Sequence, residues 1–397
     1  MPWVKKIIVV FLAFLLTACS TLGSLGYLWQ KQGYRVANPK YPTSSFPIAE
    51  SDFNLPKSSV KQINGLYSLL VLQQGQLRYE WYREGFHQES AFNVKSLSKS
   101  ILSVLTGIAL ERGDIRSLQQ PIAELLPEQY RHYDSAQQIR LQDLLTMSAG
   151  FNYRENGNNW VYATDNWTDS ILQLPMEAEP GERFRYGTPQ SHLLSHILTY
   201  SSGTDILTYA QQQLFDPMQI SLRGWDKSPD GVYFGGSELY MTTRDIAAFG
   251  QLVLNRGRYP VKSLTGYTAQ QQVSSEWLKQ STLIRFTDVE NNWDYGYYWW
   301  LGDIEIERVI DQDQQTDQTK TIENRINRGT TGIESLAIIA ARGYGEQNLI
   351  IVPELDTVIV TTASTPLFYN SRKRYQAVHQ LFKQILQQIS DSAAEAS

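Results

Sequence analysis

Runs of β-branched and aromatic residues stand at both ends of the chain, and helical patterns fill the space between. That distribution limits the fold more than any single motif. Near the start, Gly65 to Leu72 and Leu77 to Tyr82 flank Gln73-Gln74-Gly75-Gln76, which predicts a hairpin with glycine in its turn. Near the end, Tyr295–Leu301, Leu336–Ala341, Asn348–Val352 and Thr357–Thr362 are short runs separated by turns, the pattern of an antiparallel meander. Asp303 to Thr331, polar and rich in Asp, Gln and Thr, reads as a hairpin excursion or a mobile insertion, and a closing helix is expected from about Arg372 to Ile389. Between about Ile115 and Ala248 helical patterns dominate, with Thr243 as a candidate N-cap. The expected class is α/β (α+β), an antiparallel sheet flanked by helices with a mainly helical insertion. The α/β domain would take 58–125 and 290–390, the helical domain 126–289, and 391–397 would be a tail. The 397 residues suffice for such a core.

The hairpin delivers the chain to Ser96-Leu97-Ser98-Lys99 and an apolar helix that ends at Gly113. Leu97, Ile101, Leu102, Leu105, Ile108 and Ala109 follow helical spacing, so Ser96 is expected at the helix start. Lys99 lies three residues on, and residues so spaced share a helix face. A serine hydroxyl needs a base before it attacks, and a desolvated lysine can lose its charge and act as one. The bland alternative is a capping serine followed by a surface lysine.

Composition narrows the partners. Hydrophobic residues make up 42% and charged residues 19%, which is globular rather than disordered. A net charge of -5 argues against nucleic acid as the partner. The one cysteine, Cys19, excludes a disulfide framework and a cysteine metal site within the chain. Lys5-Lys6, the apolar run Ile7–Leu16 and then Leu16-Thr17-Ala18-Cys19 make a secretory signal, too short to be a good spanning helix. Leu-Thr-Ala-Cys also looks like a bacterial lipoprotein box, which implies a signal peptide over 1–19 and lipidation of Cys19. Residues 20–57 then read as a tether with four prolines, and the expected location is the cell envelope, lipid-anchored to a membrane.

Three separated stretches together resemble the serine β-lactamase and penicillin-binding-protein superfamily, in its class C-related branch with esterases and 6-aminohexanoate-dimer hydrolases. They are Ser96-Leu97-Ser98-Lys99 for S-x-x-K, Tyr186-Gly187-Thr188 for Y-x-N/S, and Gly343-Tyr344-Gly345-Glu346 for a variant of K-T-G. Leu144–Gly150, Arg244–Gly250 and Val352–Asp356 support the match, which runs from about Asp52 to Gln388. The resemblance implies a β-lactamase-like fold, Ser96 as nucleophile, Lys99 as its proton partner and Tyr186 as proton shuttle. It implies Thr188, Tyr344, Gly345 and Glu346 at the substrate, with the backbone N–H groups of Ser96 and Glu346 as the oxyanion hole. The activity implied is cleavage of a small-molecule ester or amide through an acyl-enzyme, with no cofactor and no metal.

Thr188 keeps a hydroxyl but not an amide at the third position of Y-x-N/S, and the lysine of K-T-G is missing. Glu346 is expected to place a negative charge beside the oxyanion strand, against anionic β-lactams. The competing readings are weaker. Thr146-Met147-Ser148-Ala149-Gly150 lacks the first glycine of a nucleophile elbow. His192 and His196 stand at i and i+4 without an acidic base between them, so they read as ordinary helix residues. A D-amino-acid peptidase acting on cell-wall peptides, and a catalytically silent envelope lipoprotein that binds peptide or glycan, stay as alternatives.

Overall fold

The computed structural model describes residues 34–35, 38–49, 53, 55–155, 159–263, 266–289, 292–310, 330–365 and 371–395. The signal segment 1–19 with Cys19 lies outside them, as do 20–33 of the expected tether and 311–329 of the expected excursion. The strands are β1 (Tyr34–Arg35), β2 (Leu66–Gln73), β3 (Gln76–Tyr82), β4 (Ala91–Asn93), β5 (Gly224–Trp225), β6 (Leu239–Thr242), β7 (Arg258–Ser263), β8 (Gly266–Gln271), β9 (Phe286–Asp288), β10 (Trp293–Tyr295), β11 (Trp300–Ile310), β12 (Thr330–Gly343), β13 (Gln347–Val352) and β14 (Thr357–Ala363). The helices that shape the site and the core are α1 (Ser98–Arg112), α2 (Leu141–Leu145), α3 (Trp167–Leu172), α4 (Thr188–Ser202), α5 (Thr243–Leu254), α6 (Ser275–Ser281) and α7 (Ser371–Glu395).

One eight-stranded sheet, in the order β3-β2-β14-β13-β12-β11-β10-β9, joins the two ends of the chain. The junction is β2 against β14, with Leu69 opposite Thr361 and Val71 opposite Ile359. Every pairing in it is antiparallel. Side chains alternate across a strand, and here both faces are covered. Leu70, Leu72, Leu349, Ile351, Val358 and Val360 join the core that contains α1 and α5. Leu69, Val71, Ile350, Val352 and Ile359 pack instead on Val378, Leu381, Phe382, Ile385, Leu386 and Ile389, the apolar stripe of α7. That helix runs on to Glu395, so 391–395 extend it rather than form a tail.

A smaller sheet, β1-β5-β6-β4, and the β7–β8 hairpin accompany the helices of the middle region. Residues 38–49, expected as tether, lie along this body. Ser44 donates from N–H and hydroxyl to the buried carboxylate of Asp245, at 2.9 and 2.8 Å. Polar composition was a poor guide there because the polar groups have buried partners. The N-cap of α5 is Thr242, one residue earlier than expected, and its hydroxyl accepts from Asp245 N–H. The excursion is a hairpin in its described part, with Trp300 opposite Ala340 and Ile310 opposite Thr330.

From Ser98 to Ala109 every residue of α1 is buried, as befits a helix in the middle of a core. Gly107 allows α6 to lie against it, since a Cβ there would sit 2.2 Å from Trp277 Cδ1. Trp277 Nε1 also donates to Ser103 O at 3.0 Å, which holds the indole in place. Overpacking of this kind costs roughly 1–3 kcal/mol, against ~1 kcal/mol gained from alanine's helix preference. Gly107→Ala should therefore lower the urea midpoint, and a raised midpoint would show that the indole moves aside freely.

Candidate active site

Strand β4 pairs with β6, and Val94 N–H continues the contact by donating to Leu239 O at 2.9 Å. The chain then turns sharply. Lys95 has φ +52, a left-handed conformation uncommon for a side chain of that size. Two contacts hold it there: its N–H donates to Asn93 Oδ1 at 3.0 Å, and its ammonium pairs with Glu238 Oε1 at 2.7 Å. A 3-10 turn, Lys95–Leu97, follows before α1 begins at Ser98. Ser96 thus stands on this turn rather than at the start of the α-helix, partly exposed, with Lys99 still one turn away.

Lys99 is 1% exposed, and its ammonium meets three oxygens. Ser96 Oγ lies at 2.9 Å, Thr188 Oγ1 at 3.1 Å and Gly236 O at 3.0 Å. Burial pulls its pKa down to about 8, and the charge of Glu155 opposes that shift. Tyr186 lies beside it, with its ring centroid 5.0 Å from Lys99 Nζ. Burial, then the charge of Glu155, hold the Tyr186 hydroxyl well above the ordinary tyrosine range. Its ring packs on Trp300 at 5.4 Å and meets Tyr295 edge-on at 6.2 Å.

Thr188 opens α4, followed by Pro189 at a first-turn position where proline is well tolerated. It is buried, and both of its polar donors reach the carboxylate of Glu155: N–H to Oε2 at 2.8 Å, and the hydroxyl to Oε1. Ser96, Lys99, Tyr186 and Thr188 are therefore brought together. Sequence reasoning missed Glu155 and Gly236. Nothing in the local pattern of the 152–167 loop singles Glu155 out. The Gly235-Gly236 pair was a usable signal, because a Cβ on Gly236 would lie 2.4 Å from Ser191 Oγ and 3.0 Å from Lys99 Nζ.

The end of β12 closes the other side. Pairing with β11 stops at Ala340, opposite Trp300, and β12 continues to Gly343. A Cβ on Gly343 would be 2.3 Å from Val94 O and 3.0 Å from Lys95 Cβ, so only glycine lets this strand approach the Ser96 turn. Gly343→Ala should displace that turn and slow covalent labelling of Ser96 more than it lowers the melting temperature; unchanged labelling would show that the strand yields instead.

Tyr344, Gly345 and Glu346 form the turn between Gly343 and its partner Gln347. Tyr344 is 58% exposed beside the site. Glu346 corrects the sequence expectation. It sits at φ +73 as the last turn residue, and its carboxylate accepts from Asn348 at 3.2 Å. It lines a small cavity with Ile350, Val378 and Phe382, on the α7 face of the sheet. Arg342 shares that face, its guanidinium between the rings of Trp293 and Tyr375 at 4.6 and 5.3 Å. Side-chain alternation sends Arg342 to the side opposite Gly343's contact with Val94, and the turn carries the Glu346 carboxylate to that same side. His192 is buried between Trp167 and Phe234, where burial keeps the ring neutral.

Residues 58–381 match the family described as Beta-lactamase. Among solved structures, a protein provisionally named 6-aminohexanoate-dimer hydrolase from Bacillus anthracis superposes with a TM-score of 0.64 at 17% identity, covering 88% of this chain and 92% of that one. A class C β-lactamase from Rhodobacter sphaeroides gives 0.56 at 17% identity over 83% and 97%. EstCE1, described as a hydrolase with promiscuous acyltransferase activity, gives 0.59 at 12% identity over 82% and 95%. These likenesses concern the fold. A curated relative, provisionally named penicillin-binding protein PbpX of Bacillus subtilis (strain 168), is 24% identical over 198 residues, 44% of this chain and 49% of that protein. The match thus spans about half the length of that relative.

Proposed function

The chain belongs to the beta-lactamase family, and we propose that it is a serine hydrolase that opens an ester or amide bond through an acyl-enzyme on Ser96. The observation that carries the reading is the buried Lys99 amine, 2.9 Å from a partly exposed Ser96 hydroxyl. Neutral Lys99 takes the proton of Ser96, and Ser96 Oγ attacks the substrate carbonyl. The Tyr186 hydroxyl, on the ring beside Lys99, passes a proton to the leaving group.

The backbone N–H of Ser96 and the 344–346 turn that follows β12 are the proposed surroundings of the oxyanion. The Glu346 N–H of the earlier expectation lies at the far end of the turn.

A fluorophosphonate should add its mass to the Ser96 peptide only; labelling at Ser98 or Ser148 would sink the assignment, and an unlabelled protein that binds peptide or glycan would favour the silent alternative. Small neutral esters and amides are the proposed substrates. No lysine stands at the end of β12 to attract a substrate carboxylate, so nitrocefin should be turned over poorly. Because Glu346 faces α7, Glu346→Gln should not raise nitrocefin turnover. A large gain would return its charge to the site. Efficient cleavage of D-amino-acid peptides would shift the reading to the peptidase alternative. Anchoring to the cell envelope through Cys19 is a further proposal, tested by intact mass of the mature protein for a lipid on that residue.

A further inference from the structure

Glu155 is a loop carboxylate gripping the first residue of α4, and Thr188 is the only residue between it and Lys99 along a line of hydrogen bonds. We propose that Glu155 is a positioning residue: by holding the proton of the Thr188 hydroxyl it makes that hydroxyl a fixed acceptor, so that the lone pair of neutral Lys99 is left for Ser96. The proposal rests on the reading of Ser96 as nucleophile and Lys99 as its base.

A lysine ammonium has three N–H donors, and here three oxygens receive them. The neutral amine has two N–H donors and one lone pair. Gly236 O is a carbonyl and can only accept, so it keeps one N–H. Ser96 and Thr188 are both hydroxyls, and a hydroxyl can donate or accept. Two arrangements of similar geometry then compete. In one, Ser96 donates its proton to the lone pair and is ready to react. In the other, Thr188 donates to the lone pair, Lys99 donates to Ser96, and the serine proton has no base.

Glu155 removes the second arrangement. An ionised carboxylate accepts and cannot donate. Its Oε1 takes the Thr188 hydroxyl proton, and its Oε2 takes the Thr188 N–H at 2.8 Å. The two-point grip fixes both the rotamer of Thr188 and the direction of its O–H. The lone pairs that remain on Thr188 Oγ1 face Lys99 Nζ, 3.1 Å away. A side-chain amide oxygen at position 188 would accept in the same way without help, because it has no proton to misplace.

That difference supplies the test. The second-order rate of Ser96 labelling by a fluorophosphonate is measured in the wild-type, Thr188→Asn and Thr188→Val backgrounds, each with and without Glu155→Ala, with melting temperatures alongside. Glu155→Ala alone should slow labelling by about tenfold or more, equivalent to ~1.4 kcal/mol. Combined with Thr188→Asn it should slow labelling little further. Combined with Thr188→Val, which keeps the shape but has no hydroxyl, it should likewise add little. Any loosening of the α4 N-terminus would appear in all backgrounds and in the melts, so it cancels from the comparison. Equal losses in every background, or no loss in the Thr188 background, would overturn the proposal. Wild-type protein that takes no label on Ser96 would overturn the functional reading itself, and this proposal with it.

Discussion

Lys99→Met is expected to cut Ser96 labelling and substrate turnover by roughly a thousandfold or more while the protein stays folded, an effect in the range seen for loss of a general base. The reason is the state of the amine. With its pKa pulled down to about 8, about a tenth of Lys99 is neutral at pH 7, against roughly one part in three thousand for an ordinary lysine. Methionine has similar length and no basic nitrogen. Its effect on stability is the sum of opposed contributions. Below pH 8 the folded state holds a charged amine in a buried place, and that cost is relieved as pH rises from about 8 towards the ordinary lysine value of 10.5. Methionine removes the cost but leaves Gly236 O and Thr188 Oγ1 without their donor. The melting temperature should therefore move by only a few degrees. In wild type the labelling rate should climb with pH through about 8 and then level off. A flat profile from pH 6 to 10, or near-normal labelling of Lys99→Met, would remove Lys99 from the mechanism.

Tyr186→Phe should lower turnover by about 10²–10⁴-fold, the usual contribution of a positioned proton donor. Only the hydroxyl is lost, so the contacts of the ring with Trp300 and Tyr295 survive and the fold should be unaffected. An amide should suffer more than an activated ester, because an amine leaves only after it gains a proton whereas p-nitrophenolate leaves without one. Steady-state kinetics on matched substrates decide the matter. Near wild-type turnover on both would exclude Tyr186, and equal losses on both would place its role before leaving-group departure.

Local pattern carried much of this. The apolar run Leu66–Leu72 and the turn at Gln74-Gly75 predict the β2–β3 hairpin, and the spacing from Leu97 to Ala109 predicts the central helix. The strands near the C-terminus were legible for the same reason: apolar runs bounded by turn residues have few other uses. Ser96, Lys99 and Tyr186 were singled out from motifs, two of them one turn apart on the same stretch of chain. Errors of one or two residues, as at Thr242 and Ser96, arose where a cap or a 3-10 turn replaces regular helix.

What folding alone decided concerns residues far apart in the chain. Glu155 meets Thr188 across 33 positions, and Gly236 meets Lys99 across 137, with no periodicity to announce either contact. The side of the sheet that Glu346 faces hung on where β12 ends and on the conformation of the turn after it. Moving the turn by one residue would carry that charge to the other side, so composition could not say whether it looks at Ser96 or at α7. Hydrophobic spacing is a property of neighbours along the chain and survives in the one-dimensional record. The direction of a hydroxyl proton, the side of a sheet and the depth of a lysine are set by the packing of distant segments, and they exist only once the chain has closed on itself.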